Sequence, residues 1–309
     1  MPEGHSVHRI ARQFREHFLH TPVTVTSPQG RFASGAAQLD GHEIVLARAV
    51  GKQLFLEFNH GLWLRVHLGL YGAWDFAGEV GLMRGGEGEA SLSSIGAPRL
   101  TRLRMAESES LRPDDTDGAG TFPPDPIGAV RVRLLTERAV ADLRGPTACE
   151  VQLPEQAAAS IAKLGPDPLV DDPAVGEQRF VDAVRRKPTA IALLLMDQSV
   201  ISGIGNVYRA ELLFRARLNP FTPGRELPED VVRELWRDWA HLLAIGVETG
   251  QMMTMDDLDA EDYARAVASR DDRHWVYHRT GEPCRVCGAA IAMQDIGGRR
   301  LYWCPVDQA

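Results

Sequence analysis

Three of the four cysteines, Cys284, Cys287 and Cys304, fall within the last 26 residues, and no other pattern in the chain dictates local structure so strictly. They form Cys284-x2-Cys287, then sixteen intervening residues, then Cys304-x2-Asp307. That clustering describes metal ligation better than a disulfide framework. With a Gly297-Gly298 turn between the two donor pairs, the segment reads as a β-hairpin held by one structural zinc ion. Three thiolates and the Asp307 carboxylate can hold zinc tetrahedrally, less tightly than four thiolates. His278 is the other nearby donor, water is another, and the fourth ligand stays open on the sequence alone. Cys149, remote from the cluster, reads as a buried structural thiol.

At 309 residues the chain exceeds what one hydrophobic core usually organises, so two domains plus this small module are expected. No run of about eighteen apolar residues occurs, and the start MPEGHSVHRIARQFREHF carries charge where a signal peptide needs an apolar stretch. A soluble cytoplasmic protein is the expectation. The net charge of -8 argues against a nucleic-acid partner, but phosphate binding needs only a local basic face. Arg270, Arg273, Arg279, Arg285, Arg299 and Arg300 supply one near the end of the chain, while acid gathers at Asp114 to Asp117 and Asp256 to Asp262.

Residues 4 to 20 carry Val7, Ile10, Ala11, Phe14 and Phe18 at helical spacing, with Pro2 at or just before the first turn. From about Val23 to Val80 the period changes to two, as in Leu62, Leu64, Val66 and Leu68, which predicts an antiparallel β-sandwich. Residues 81 to 125 hold GGEGE, PDDTDGAG and FPPDP with little apolar periodicity, and a flexible insertion is predicted there. Strands resume near Val130 to Leu134 and Ala139 to Leu143. LGPDPL at 164 to 169 reads as an interdomain joint. Helices follow: one with Phe180, Val181 and Val184 on a face, one from Pro188 through Met196, one after Asn206, and a long one from about Pro228 to Thr249 before Gly250.

Several residue groups carry possible chemistry. A proline amine at a mature N-terminus is an unusual nucleophile, because an α-amino group titrates near ~8 against ~10.4 for lysine. A helix starting here would depress it further. Attack on C1′ of a sugar gives an iminium, which acidifies the C2′ proton and leads to strand cleavage by elimination. Glu3 can shuttle the protons. The reading requires removal of Met1, and Met-Pro-Glu is also an ordinary helix start. Gly203-Ile204-Gly205-Asn206 precedes a helical stretch, so backbone amides and the Asn206 side chain could receive a phosphate, or simply make a tight turn and cap. Arg299 projects from the hairpin between the ligand pairs and suits bidentate phosphate binding; solvated arginines on a turn are the ordinary alternative. Lys52, at a hairpin after Gly51, can reach a phosphate or merely protect a strand edge. Leu70 and Tyr71, in the glycine-flanked tip His67 to Gly72, could fill the space left by an extruded nucleotide.

Together these motifs resemble the formamidopyrimidine-DNA glycosylase and endonuclease VIII family over nearly the whole chain. The matching pieces are Pro2-Glu3-Gly4, Gly51-Lys52, HLGLYG at 67 to 72, LGPDPL at 164 to 169, MDQSVISGIGNVYRAELLF at 196 to 214 and VYHRTGEPCRVCG at 276 to 288. The resemblance implies a multidomain α and β protein. An N-terminal antiparallel β-sandwich with a leading helix would occupy 1–150, a linker 151–170, a helix-two-turn-helix domain 171–270 and a zinc-finger β-hairpin 271–309. It also implies that Pro2 is the Schiff-base nucleophile, Glu3 the proton donor and acceptor, and Lys52, Asn206 and Arg299 the phosphate grip. The partner would be double-stranded DNA containing damaged bases or abasic sites, bound by a monomer in a bacterial cytoplasm at the nucleoid, with no membrane association. Ser6 departs from the family where many members carry a carboxylate, Asp307 replaces a cysteine, and the 81 to 125 loop is long. The stretch Gln251 to Arg270 is acidic and helical in pattern, where the purine-directed branch carries a Gly- and Thr-rich loop over the flipped base. Leu70-Tyr71 and Tyr302-Trp303-Cys304 also resemble endonuclease VIII, and the MPEGH start its actinobacterial members. The expected activity is therefore removal of oxidised pyrimidines with β and δ elimination. An 8-oxoguanine and formamidopyrimidine glycosylase, and a binder of abasic DNA without chemistry, remain alternatives.

Overall fold

Hydrophobic alternation governs the first half of the chain and helical spacing the second, and the molecule divides accordingly into two compact units, Met1–Ile161 and Ala162–Ala309. The computed structural model describes residues 2–79, 101–106, 109–113, 122–255, 257–269 and 272–309. Met1, Asp114 to Asp117, Asp256 and Arg270 lie outside the described residues.

In the first unit the leading helix α1 (Gly4–His17) is followed by β1 (Thr24–Thr26), α2 (Ala33–Leu39), β2 (Ile44–Val50), β3 (Gln53–Phe58), β4 (Trp63–His67) and β5 (Ala73–Gly78). Then come β6 (Thr101–Met105), β7 (Glu109–Pro113), β8 (Val130–Leu135), β9 (Ala139–Arg144) and β10 (Ala148–Gln152). They build a six-stranded sheet in the order β1-β8-β9-β5-β6-β7 and a four-stranded sheet β10-β4-β3-β2, with every pairing antiparallel. Period two places Leu54, Leu56, Leu64 and Val66 of one sheet and Trp74, Phe76, Leu134 and Leu143 of the other in one core. Helix α1 adds Phe14, whose ring meets Trp74 edge-on at 5.0 Å and Phe76 at 5.4 Å.

The segment read as a loop at 81–125 needs correction where it is described. β6 and β7 form a hairpin on the edge of the larger sheet, and Leu103 and Met105 are buried in its core. Alternation over five residues amid charged neighbours is too short a signal to separate from loop composition. The remainder of that loop, residues 81–100, 107–108 and 114–121, lies outside the described residues.

The second unit takes over within α3 (Pro154–Ala162), a helix in the stretch read as linker. After it come α4 (Pro173–Arg185), α5 (Ile191–Leu194), α6 (Asn206–Arg215), α7 (Glu229–Thr249) and α8 (Ala260–Ala268), then the hairpin β11 (Ala292–Ile296) and β12 (Arg299–Trp303). Asp172 caps α4 by accepting from the amides of Ala174 and Val175, and Pro173 supplies the preset φ of a first turn. α7 ends at Gly250, φ 72°, the left-handed conformation glycine adopts without strain. Its core joins Phe180, Val184, Tyr208, Leu212, Trp236 and Trp239 among others. Pro188 does not open a helix: the chain is extended at Ala190, which bridges to Pro223, and only Ile191–Leu194 is helical. No helix among the described residues is long and apolar enough to cross a membrane.

Candidate nucleic-acid interface and metal centre

In the first unit the start of α1 departs from an ordinary amphipathic helix. Glu3, His5, Ser6, His8, Arg9 and Gln13 are all buried alongside the apolar face, and Pro2 is buried as well. Charged and polar groups are seldom so enclosed at a helix start without a task. Glu3 stands at the N-cap with extended backbone, φ -115° and ψ -175°, and its carbonyl accepts from the Ser6 amide at 3.1 Å. Its carboxylate makes no capping bond, so the helix start does not employ it as a cap. Burial, reinforced by the nearby charge of Arg9, pushes His5 down to about 3, so its ring, 3.1 Å from the Ser6 hydroxyl, is neutral at physiological pH.

Lys52 sits in the two-residue turn between Val50 and Gln53, after Gly51 at φ 57°. A left-handed first position is what a tight glycine-led hairpin demands. Burial, with the Lys52 and Arg65 cations beside it, holds His67 below the usual imidazole range, which places Lys52 next to the strand that leads into the glycine-flanked tip. In that tip Gly69 has φ 69°, and a Cβ there would lie 1.8 Å from Thr147 Oγ1; a Cβ on Gly72 would meet the Leu68 carbonyl at 2.3 Å. The glycines therefore permit a fold-back that leaves Leu70 42% and Tyr71 85% exposed, while Leu68 is buried. Cys149, half-buried, is pushed up to about 12 by burial and is chemically quiet.

In the second unit the turn before α6 is built by side chains as much as by glycine. Gln198 donates from Nε2 to the carbonyls of Met196 and Ile204, 3.1 and 3.0 Å, and accepts from the Gly203 amide at 3.1 Å. LGPDPL is bonded to the same turn: the Gly165 amide donates to Gln198 O at 2.7 Å, and Ser202 Oγ donates to Gly165 O at 2.7 Å. Although burial works against it, bonds from Ser199 and the ammonium of Lys187 at 3.1 Å keep Asp197 below the usual carboxylate range.

Asn206 is the first residue of α6, with Gly205 as the N-cap, and its side chain does not cap the helix. It was expected to donate to a phosphate; here Nδ2 donates to the Arg300 carbonyl of β12 at 2.8 Å. Arg209, one helical turn later and fully buried, donates to that carbonyl at 3.2 Å and to Asn206 Oδ1. These bonds put Asn206 beside the hairpin that bears Arg299. The hairpin turns through Gly297 and Gly298, φ 58° and 71°, and two left-handed positions are what a type I′ turn requires. Arg299 pairs with Ile296, is half-buried, and has no ion-pair or side-chain hydrogen-bond partner among the described residues. Sequence reasoning missed Arg209. Its signal was a cation three residues after Asn206, hence on the same face of a helix otherwise rich in apolar residues.

The sulfurs of Cys284, Cys287 and Cys304 and a carboxylate oxygen of Asp307 all lie within 4.8 Å of one another. Cys287 Sγ is 3.4 Å from Cys304 Sγ, and Cys284 Sγ is 3.1 Å from Asp307 Oδ2. A tetrahedral zinc with Zn–S of about 2.3 Å would set its sulfurs about 3.8 Å apart, so the cluster has the right size. The amides of Val286 and Asp307 each point at a ligand sulfur, Cys284 and Cys304 respectively, at 3.4 Å, an arrangement that stabilises thiolate charge. The donor set fits one zinc ion. Asp307 belongs to it, whereas His278 stacks on Tyr277 at 4.4 Å. Gln308 secures the end of the module by accepting from the Cys304 amide at 2.9 Å and donating to the Leu218 carbonyl at 3.0 Å.

Glu211, completely buried, ties α6 to the chain entering the metal module. Its carboxylate accepts from the amides of Trp275, Val276 and Tyr277 at 2.7, 2.9 and 2.8 Å and from Thr254 Oγ1 at 2.6 Å. Burial pushes its carboxyl upward, and the four donors pull the other way. A cavity of 560 Å³ lies nearby, with Phe214, Leu235, Trp275 and Val286 among its walls; of the residues expected to act, it touches only Asp307. It is therefore set aside as the reacting site.

Residues 1–122 match the formamidopyrimidine-DNA glycosylase N-terminal domain, 164–257 the H2TH domain of that glycosylase, and 281–309 the zinc finger found in FPG and IleRS. The chain belongs to the formamidopyrimidine-DNA glycosylase and endonuclease VIII family, whose members are DNA glycosylases with AP lyase activity. Along its whole length, and the whole length of that relative, it is 39% identical to Endonuclease 8 1 of Mycobacterium tuberculosis H37Rv. It is 36% identical to the formamidopyrimidine-DNA glycosylase of Thermus thermophilus over 48% of this chain and 54% of the relative. The solved structure of the MutM (Fpg) protein from Thermus thermophilus aligns with a TM-score of 0.66, 25% identity, and 99% and 98% of the two chains covered. That of the Lactococcus lactis enzyme bound to DNA containing an AP site aligns with a TM-score of 0.70 at 18% identity, covering 99% of each chain, a likeness of fold.

Proposed function

We propose that this chain is a bifunctional DNA glycosylase and AP lyase that removes oxidised pyrimidines from double-stranded DNA. With Met1 removed, the Pro2 amine attacks C1′ of the damaged nucleotide, the base departs, and an iminium links Pro2 to the opened sugar. Loss of the C2′ proton expels the 3′ phosphate, and a second elimination expels the 5′ phosphate. Glu3 moves the protons, protonating the opening sugar and then accepting from it. Lys52, Asn206 and Arg299 hold the phosphates flanking the extruded nucleotide, and Leu70 and Tyr71 fill the space it vacates. Zinc holds the hairpin that bears Arg299 and takes no part in bond making.

The observation that carries the pyrimidine assignment is the fate of the chain after α7. Met252, Met253 and Met255 are buried. The Thr254 carbonyl accepts from Arg215 at 2.8 Å and from Trp275 Nε1 at 3.1 Å, and the Thr254 hydroxyl donates to Glu211. A segment bonded inward in this way is not available as a loop closing over a flipped purine. The full-length likeness to an endonuclease 8 supports the same choice.

Borohydride trapping tests the proposal. Oligonucleotides carrying thymine glycol, 8-oxoguanine or an abasic site are incubated with zinc-loaded, Met1-processed protein and reduced. A covalent adduct on the pyrimidine lesion, weak on 8-oxoguanine and lost in Pro2→Gly, is expected. Preference for 8-oxoguanine would move the enzyme to the purine branch, and no adduct even on the abasic site would leave a non-catalytic DNA binder.

A further inference from the structure

The register of the metal-held hairpin leaves one carbonyl in a position of consequence. Ile296 and Arg299 close the two-residue turn and exchange ladder hydrogen bonds, so the next pair, Asp295 and Arg300, faces outward. The Arg300 carbonyl, adjacent in the chain to Arg299, must therefore find donors outside the hairpin. It receives two, both from the first turn of α6: Asn206 Nδ2 at 2.8 Å and Arg209 Nη2 at 3.2 Å. Arg209 also donates to Asn206 Oδ1, which fixes the orientation of that amide. With a relative exposure of 0%, Arg209 is a cation that cannot itself reach a phosphate.

We propose that Arg209 is a positioning residue for the DNA grip: its guanidinium, bonded at once to Arg300 O and Asn206 Oδ1, sets the place of Arg299 relative to Asn206. The role rests on the phosphate-gripping function assigned above to Asn206 and Arg299. Both bonds leave one nitrogen, Nη2, whose two hydrogens lie in the plane of the guanidinium and so serve the two acceptors in fixed directions. Without it, Asn206 Nδ2 alone would donate to the Arg300 carbonyl, and the amide could rotate to offer its oxygen instead of its donors.

The test is a double-mutant cycle on the full-length, zinc-loaded chain, using duplex DNA that bears a tetrahydrofuran abasic analogue. Binding is measured against salt for wild type, Arg299→Ala, Arg209→Met and the double variant. Arg299→Ala is expected to weaken binding ~10-fold or more and to lower the salt slope by about 1, as loss of a phosphate contact does. Arg209→Met is expected to weaken binding ~10-fold with the same drop in salt slope, although Arg209 touches no DNA. The double variant should be no more than about twofold weaker than Arg299→Ala, because the two residues act through one contact. A merely structural role would lower the melting temperature but leave the salt slope intact and add in full to Arg299→Ala, and that result overturns the proposal. If Arg299→Ala binds like wild type, the phosphate-grip reading itself fails and takes the Arg209 role with it. If Arg209→Met does not retain zinc or fold, Arg209→Lys runs the same cycle, since lysine keeps the charge but loses the fork.

Discussion

The tip at 68–72 in the first unit and the turn at 297–298 in the second both set neighbouring side chains on glycine-shaped backbone, exposed Leu70 and Tyr71 in one and half-buried Arg299 in the other, yet they are not held alike. The first joins the two sheets of a sandwich whose core contains Leu64, Val66, Trp74 and Phe76, and its shape follows from steric necessity at Gly69 and Gly72. The second rises from a two-stranded hairpin, and an isolated hairpin is at best marginally stable in water. Its support is a metal-sized cluster of three sulfurs and a carboxylate, a buried carboxylate at Glu211, and the Asn206–Arg209–Arg300 bonds. The sandwich is held by one large apolar core, whereas the hairpin contributes only a few side chains, Leu301 and Tyr302 among them, to apolar clusters and adds polar contacts and the metal-sized cluster to them. Placement of a side chain can thus be secured by an apolar core or by a few directional bonds, and only the second is open to removal in one step.

Zinc removal should show the contrast most strongly. Structural zinc binding contributes on the order of 10 kcal/mol to small modules. Chelation is therefore expected to unfold residues 281–309 and abolish DNA binding while the sandwich keeps its thermal transition, read by circular dichroism and tryptophan fluorescence. A hairpin that keeps its signals after complete chelation would break the comparison. Next in size is Glu211→Ala. It strands one buried and two part-buried amides, each costing about 1–3 kcal/mol when unsatisfied, while the Thr254 hydroxyl keeps the Arg273 carbonyl at 2.9 Å, and it should destabilise the second unit by about 3 kcal/mol in urea unfolding. Glu211→Gln, which keeps one acceptor, should cost less.

What could be foreseen divides along the same line. The β-sandwich, α1, α7 and the metal hairpin were legible because period two, helical spacing and ligand spacing are properties of neighbouring residues in sequence. Cys284, Cys287, Cys304 and Asp307 were legible for the same reason, as a local motif. The hairpin β6–β7 was hidden because its strands are short and its pairing partner β5 lies more than twenty residues away. Arg209 and the use of the Asn206 amide were hidden because both depend on the Arg300 carbonyl, some ninety residues distant, and backbone acceptors leave no mark in a sequence. Pro188 misled for a local reason: a proline suits a first turn, but the bridge from Ala190 to Pro223 holds the chain extended until Ile191.

The smallest expected effect sharpens the steric half of the comparison. Gly69→Ala forces an L side chain into φ 69° and brings its Cβ within 1.8 Å of Thr147 Oγ1. The left-handed conformation alone costs about 1–2 kcal/mol. Thr147 is exposed and its hydroxyl can rotate aside, so the backbone term should dominate. Thermal unfolding of the first unit should fall by that amount, and Thr147→Ala in the same background should restore only a small part. Gly72→Ala differs, because the obstructing atom is the Leu68 backbone carbonyl at 2.3 Å and no rotamer change relieves it. If the two alanine variants were equally mild, the tip would be pliable instead of sterically fixed. Leu70 and Tyr71 would then be placed by DNA on binding, a distinction visible as a larger loss of abasic-site affinity for Gly72→Ala than for Gly69→Ala only when the tip is rigid.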